Sequence, residues 1–176
     1  NIHDTTANGF YIMLSTNVGG AVFINGHVYE GDNFRSGEIG HLTIHPEGLP
    51  CYCGQNGCVD PYCSATVLTA IADDSLEHFF ELLRAPDASA KALWQTYLRN
   101  LVLAVRNIRV LYDCPVIIGG YVGAYMDEYL DDLKTILDSY NSFDQTSDYV
   151  VVCRYKTEAI AAGSALSFIK AFLAKI

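Results

Sequence analysis

The sequence has few basic residues. Lys and Arg total 11 against 20 Asp and Glu, which leaves a formal net charge of −9. A surface of this sign repels phosphate backbones, so we expect no direct nucleic-acid binding by this chain. The sequence also lacks a signal peptide and any apolar run long enough to span a membrane. These absences predict a cytoplasmic protein with no membrane partner.

Internal repeats and low-complexity tracts are absent as well. The 176 residues, of which 51% are hydrophobic, fit one domain with a substantial core. Six cysteines in a chain of this length do not make a disulfide scaffold. Cys114 and Cys153 lie in apolar surroundings, where free cysteine usually packs as a small core residue. We therefore expect residues 1–176 to form a single domain.

The spacing of apolar residues changes along the chain. Phe10–Thr16 is apolar enough for a strand, and Asn25-Gly26 between apolar runs is a strong hairpin signal. Residues 41–45 are predicted to add a short strand. After Ser64, helical spacing alternates with short buried strands around residues 116–120 and 148–154. The predicted order β-β-β-α-β-α-β-α indicates an α/β fold, with helices packed on a mixed sheet.

The stretch CYCGQNGC places three thiols, those of Cys51, Cys53 and Cys58, within eight residues. In a reducing compartment such a cluster most often holds a metal, and zinc takes four sulfur or imidazole ligands. The candidates for the fourth ligand are His41, His45 and Cys63. Redox or disulfide chemistry is the alternative, although it would leave one thiol over. A closed four-ligand site would be structural, since it offers no open position for water.

Two motifs here resemble those of the ROK family, named for repressor, open reading frame and kinase. GEIGH (residues 37–41) and CYCGQNGCVD (residues 51–60) are similar to its Glu-x-Gly-His and Cys-x-Cys-Gly-x-x-Gly-Cys-x-Glu motifs. TNVGGAVFINGHVYEG resembles its glycine-rich phosphate-side hairpin, and VIIGGYV resembles its turn near the nucleotide base. The resemblance implies an actin-like, sugar kinase-type ATPase fold (ribonuclease H-like). It implies a C-terminal lobe with an inserted zinc loop, the N-terminal lobe lying outside this chain.

The resemblance also implies roles for individual residues. The zinc ligands would be His41, Cys51, Cys53 and Cys58. Glu38 would accept hydrogen bonds from sugar hydroxyls, and the second ring nitrogen of His41 would face the sugar. Asp60 stands where the family has a second sugar-binding Glu, and its shorter side chain changes the reach of that contact.

The phosphate-side hairpin departs from the family pattern. Thr16, Gly19 and Gly20 match it, whereas Ser15 and Asn17 replace glycines. Glycine at such positions lets backbone amides approach a phosphate closely, and added side chains hinder that approach. This departure favours a lobe that binds a sugar without transferring phosphate.

We therefore expect the effector-binding lobe of a sugar-responsive transcriptional regulator, taking a sugar or sugar phosphate. DNA would be bound through an N-terminal domain outside this chain. The sequence lacks the family's catalytic Asp and first phosphate loop, so we do not expect an enzyme, or ATP and Mg²⁺ as cofactors. The alternatives are a fragment of an ATP-dependent sugar kinase of the glucokinase or fructokinase type, and a zinc-stabilised oligomerisation domain without ligand. Self-association into dimers or tetramers is compatible with all three.

Overall fold

A single five-stranded mixed sheet forms the centre of the computed structural model, which describes residues 8–141 and 143–173. Its strands are β1 (Gly9–Leu14), β2 (Val18–Ile24), β3 (His27–Tyr29), β4 (Val116–Gly119) and β5 (Val150–Val152). Their spatial order is β3-β2-β1-β4-β5. β1 pairs antiparallel with β2 and β2 with β3, whereas β1–β4 and β4–β5 are parallel. The predicted α/β fold with a mixed sheet is confirmed.

Seven α-helices accompany the sheet in the described residues. They are α1 (Asp60–Cys63), α2 (Ala65–Thr69), α3 (Leu76–Arg84), α4 (Ala88–Tyr112), α5 (Gly120–Gly123), α6 (Leu130–Asp138) and α7 (Ala159–Leu173). Short 3-10 turns occur at Ile39–His41, Met126–Glu128 and Lys156–Glu158. The longest helix, α4, begins where the Asp87 carboxylate accepts a hydrogen bond from the Ala90 N–H. Within the described part of the chain, no helix is both long and apolar enough to cross a membrane.

The turn between β2 and β3 follows the local sequence, whereas residues 41–45 depart from the prediction. Asn25 and Gly26 have φ values of 52° and 77°, the left-handed pair that a type I′ turn requires. Residues 41–45 do not form the predicted strand. Thr43 makes only an isolated bridge with Cys58. No ladder continues from it, because the next two residues direct their N–H groups to a single carbonyl of the glycine-containing loop. The Gly57 carbonyl accepts hydrogen bonds from two successive N–H groups there, those of Ile44 and His45.

The core connects the sheet to α4 and to α1, the helix that directly follows the CYCGQNGC stretch. Phe10, Ile12 and Leu14 are buried along β1 and belong to the same apolar cluster as the inner face of α4. On α4, Trp94 stacks on Tyr97 with ring centroids 5.3 Å apart. The Tyr97 hydroxyl donates a hydrogen bond of 2.6 Å to the carbonyl of the last α1 residue. The end of α1 is therefore anchored on α4.

Candidate functional site

The cysteine loop, residues 41–60, is shaped by two glycines. Gly54 and Gly57 have φ values of 88° and 76°, a region that residues with side chains disfavour. A Cβ at Gly57 would also collide with the His45 carbonyl group. The turn is closed by the Cys51 N–H, which donates to the Gln55 carbonyl at 2.8 Å. These contacts fold the loop back and bring its cysteines together.

Four side chains converge at this loop: His41, Cys51, Cys53 and Cys58. One ligand atom from each lies within 4.8 Å of all the others. Nδ1 of His41 is 3.7 Å from Sγ of Cys51, and Sγ of Cys53 is 3.8 Å from Sγ of Cys58. Cys51 and Cys58 are buried, so the cluster opens to solvent mainly at the other two residues.

The donor set fits zinc. Zn–S bonds of about 2.3 Å place two sulfurs of a tetrahedron about 3.8 Å apart, and an imidazole nitrogen about 3.5 Å from a sulfur. The separations of 3.8 and 3.7 Å agree with this geometry. Three thiolates and one imidazole complete a tetrahedron, which leaves no position for water or substrate. The cluster is thus suited to a structural metal that joins the two ends of the loop.

The thiols of the cluster differ in acidity. Burial raises the pKa of Cys58 to about 12, whereas a hydrogen bond from the backbone of Gln55 lowers the pKa of Cys53. A metal ion must displace the thiol protons when it binds, so the buried thiol makes metal binding strongly pH-dependent.

The other candidates for the fourth ligand lie elsewhere. Nε2 of His45 is 2.7 Å from Oδ1 of Asn100, and its ring packs edge-on against Tyr62 with centroids 4.8 Å apart. Cys63 is fully buried in the core, and burial raises its pKa. The structure therefore brings together the four residues that the resemblance implied and separates the other two.

Two of the predicted sugar ligands face one cavity. Glu38 directly precedes the Ile39–His41 turn, and both Glu38 and His41 line a cavity of about 270 Å³. The remaining lining is largely apolar: Phe10, Ile39, Leu42, Ile108, Leu111 and Tyr112. The turn sits directly on β2, since a Cβ at Gly37 would approach the Gly20 carbonyl oxygen to 2.7 Å. This packing holds the backbone of the turn that carries both side chains against the sheet.

Asp60, the third predicted sugar ligand, is placed differently. It is the first residue of α1 and only 6% exposed. Its Oδ1 accepts a hydrogen bond of 2.6 Å from the N–H of Val18, the first residue of β2. It is not among the residues that line the cavity of Glu38 and His41. The carboxylate therefore connects the end of the cysteine loop to the β1–β2 hairpin.

Tyr52 is a site residue that the sequence reasoning missed. Its hydroxyl oxygen is 3.3 Å from Nε2 of His41, and the two rings meet edge to face with centroids 5.1 Å apart. The pKa of the hydroxyl is raised by partial desolvation and then by nearby groups that include Asp60, Cys51 and Glu38. The sequence feature that could have identified it is its position as an aromatic residue between Cys51 and Cys53.

The residues predicted to lie beside a phosphate occupy two different elements, a turn and a strand. Thr16 lies exposed on the β1–β2 turn, where the Ser15 N–H donates to the Asn17 carbonyl at 3.3 Å. Gly19 and Gly20 lie in β2, beyond the turn. A Cβ at Gly20 would come within 2.7 Å of the Gly37 carbonyl oxygen, so this glycine permits the close packing of the Glu38 segment.

The chain is similar in sequence to one protein family and to curated sugar kinases. The sequence profile of the ROK family matches residues 2–170. The chain is 32% identical over 159 residues to a glucokinase of Halalkalibacterium halodurans, covering 78% of this chain and 48% of the relative. It is 29% identical over 145 residues to an N-acetylmannosamine kinase of Haemophilus influenzae, covering 76% and 48%.

Solved structures show the same fold. A ROK hexokinase from Thermus thermophilus superposes with a TM-score of 0.79 at 26% identity, covering 94% of this chain and 58% of that chain. A ROK family transcriptional regulator superposes with a TM-score of 0.70 at 21% identity, covering 84% and 41%. At that identity the likeness to the regulator concerns the fold alone.

The relatives correct one expectation. The prediction that the chain is not an enzyme is wrong, because the curated relatives are glucokinase and N-acetylmannosamine kinases. That prediction depended on a catalytic Asp and a first phosphate loop missing from these 176 residues. The chain spans about half the length of the curated relatives it matches, so such missing motifs say nothing about the activity of the whole protein.

Proposed function

Because the chain belongs to the ROK family, we propose that it is the sugar-binding lobe of an ATP-dependent sugar kinase. The relatives named as glucokinase and N-acetylmannosamine kinase support a hexose or an N-acetylhexosamine as substrate. The observation that carries the proposal is the pairing of Glu38 with His41. Glu38 directly precedes the Ile39–His41 turn, His41 is the last residue of that turn, and both line the same cavity.

Glu38 and His41 provide complementary hydrogen-bonding groups for a sugar, one an acceptor and the other a donor. An ionised carboxylate only accepts hydrogen bonds, whereas an imidazole bound to metal through Nδ1 carries its proton on Nε2 and donates. Zinc held by His41, Cys51, Cys53 and Cys58 would fix the tautomer and orientation of that ring. Neighbouring sugar hydroxyls can satisfy both groups, because a hydroxyl is both donor and acceptor.

The β1–β2 turn would contribute to holding the phosphates. Thr16 provides an exposed hydroxyl at the tip of the turn. In this proposal, the general base that accepts the proton of the attacking sugar hydroxyl comes from the rest of the protein. The role of this chain is then to bind and orient the sugar.

The test is phosphoryl transfer by the full-length protein that contains this chain. Glucose and N-acetylmannosamine are supplied with ATP and Mg²⁺, and ADP release is measured. We expect turnover with at least one of these sugars, and we expect Glu38→Gln to lower kcat/KM by about 10- to 100-fold through lost sugar contacts. Glu77→Gln, an exposed acid on α3, is the matched control. Sugar-independent ATP hydrolysis or no turnover would contradict the proposal.

One observation favours a second candidate, the effector-binding lobe of a transcriptional regulator. Two N–H groups beside the β1–β2 turn already have protein acceptors: that of Ser15 bonds to Asn17, and that of Val18 to Asp60. They are not available to a phosphate as the hairpin stands. In this candidate a sugar or sugar phosphate binds in the cavity, and DNA is bound by another domain. Sugar binding without ADP release, together with sugar-dependent DNA binding, would favour it.

A further inference from the structure

The side chain of Tyr52 lies at the ring nitrogen that the proposed function assigns to the sugar. Its hydroxyl oxygen is 3.3 Å from Nε2 of His41, and its ring packs edge to face on the imidazole. Although it makes these contacts, Tyr52 is 70% exposed. Tyr52 is therefore held at the site by few contacts, and it can leave without disturbing the core.

The direction of this hydrogen bond follows from the metal cluster. Nδ1 of His41 faces the thiols, 3.7 Å from Sγ of Cys51. With a metal ion held at Nδ1, that nitrogen would have no proton, so the proton would be on Nε2 and the Tyr52 oxygen would accept it. The Tyr52 hydroxyl proton is then left for an acceptor. Partial desolvation, and after it the negative charges of nearby groups that include Asp60 and Glu38, raise the pKa of this hydroxyl, so the proton stays on the oxygen.

These surroundings are those expected for a sugar hydroxyl. A sugar hydroxyl would accept the same hydrogen bond from Nε2 of His41, so it and the Tyr52 hydroxyl would compete for one donor. We propose that Tyr52 is an affinity-determining residue whose hydroxyl occupies the place of a sugar hydroxyl and must move away when the sugar binds. This inference depends on the proposed sugar site, and it assigns to this site a competitor within the chain.

Displacement of Tyr52 lowers the apparent affinity for the sugar. The apparent affinity is the intrinsic affinity multiplied by the fraction of molecules in which Nε2 of His41 is free. One net hydrogen bond corresponds to a factor of about 3 to 10. Because the ring remains in Tyr52→Phe, this variant removes the competing hydroxyl and little else. We expect it to bind sugar about 3- to 10-fold more tightly than the unmodified protein.

The experiment uses the zinc-loaded, full-length protein and isothermal titration with glucose and N-acetylmannosamine. Tyr52→Phe is compared with Tyr29→Phe, an exposed tyrosine on β3, after equal zinc content has been confirmed. A second readout needs no sugar: exchange of the His41 Nε2 proton, followed by NMR. We expect faster exchange in Tyr52→Phe and no change in Tyr29→Phe.

The outcomes separate this inference from the proposed function. Tighter binding by Tyr52→Phe with faster proton exchange supports the inference. Equal or weaker binding than the unmodified protein, in a protein that does bind sugar, overturns the inference and leaves the sugar site standing. Failure of every variant and of the unmodified protein to bind either sugar overturns both.

Discussion

The cysteine loop and the β1–β2 hairpin both contain paired glycines, yet the structure uses them differently. In the loop, Gly54 and Gly57 adopt left-handed conformations at the turns, and the convergence of His41 with the three cysteines depends on them. In the hairpin, Gly19 and Gly20 lie inside β2 while Ser15–Asn17 form the turn. A glycine motif is therefore informative where the backbone needs positive φ, and less so where it serves only close packing.

A hydrogen bond also joins the two regions. Asp60 ends the cysteine loop, and its carboxylate binds the N–H of Val18 at the start of β2. The loop is expected to depend on metal and the hairpin on packing. Variants that act on one region and spare the other test this difference.

The largest effect should come from losing the metal. Cys58→Ser removes a buried ligand, and we expect the loss of zinc and a fall of about 4 kcal/mol in the free energy of unfolding, if free zinc is about a thousandfold above its dissociation constant. Zinc content is measured by inductively coupled plasma mass spectrometry, and the free energy of unfolding is measured by urea unfolding with and without a chelator. Cys63→Ala and His45→Gln are the matched variants, since neither residue joins the cluster. Loss of zinc in either control would contradict the assignment of ligands.

The hairpin was predictable in part from sequence, and so was the loop. The apolar run at residues 10–16 predicts the strand β1, and Asn25-Gly26 determines the next turn, between β2 and β3. The spacing of the cysteines is by itself enough to indicate a metal. The Asp60–Val18 bond joins residues 42 apart, and the His45–Asn100 bond joins residues 55 apart. Such partners depend on how helices dock. This is why His45 remained a candidate ligand from sequence, although the structure pairs it with the central helix.

A smaller effect is expected at Gly20. A Cβ there would lie 2.7 Å from the Gly37 carbonyl oxygen, 3.0 Å from the Tyr11 carbonyl oxygen and 2.7 Å from the Phe10 ring. Gly20→Ala should cost about 3 kcal/mol, the upper end for overpacking, because backbone atoms have little room to move. Gly19→Ala is the matched variant, since its Cβ meets only the flexible end of Met13 at 3.3 Å. Urea unfolding of both variants checks the prediction, and equal costs would refute the packing role of Gly20.

Asp60 tests the contact between the two regions. Asp60→Ala leaves the Val18 N–H without its acceptor in a buried setting, which should cost about 2 kcal/mol. Asp60→Asn keeps a carbonyl oxygen of nearly the same shape, so the free energy of unfolding should fall by less than about 1 kcal/mol. Both variants should retain zinc, because Asp60 is not part of the cluster. Zinc loss in Asp60→Asn would mean that the hairpin contact also supports the metal loop.

The smallest effect is expected at an ion pair distant in sequence from both regions, Arg109 with Asp144. Two hydrogen bonds join them, at 2.9 and 2.7 Å, and the guanidinium lowers the pKa of Asp144. A carboxyl whose folded-state pKa lies below its unfolded value stabilises the fold above the unfolded pKa. This stabilisation is lost as pH falls through the lowered value.

For a partly exposed pair the stabilisation is about 1 kcal/mol at neutral pH. Asp144→Asn should remove it at about pH 7 and change little near about pH 2, as measured by urea unfolding at both values. Zinc content at neutral pH should be the same as in the unmodified protein, because neither residue belongs to the metal cluster. An Asp144→Asn variant that lost zinc at neutral pH would show that α4 transmits strain to the cysteine loop, and the loop would then depend on packing as the hairpin does.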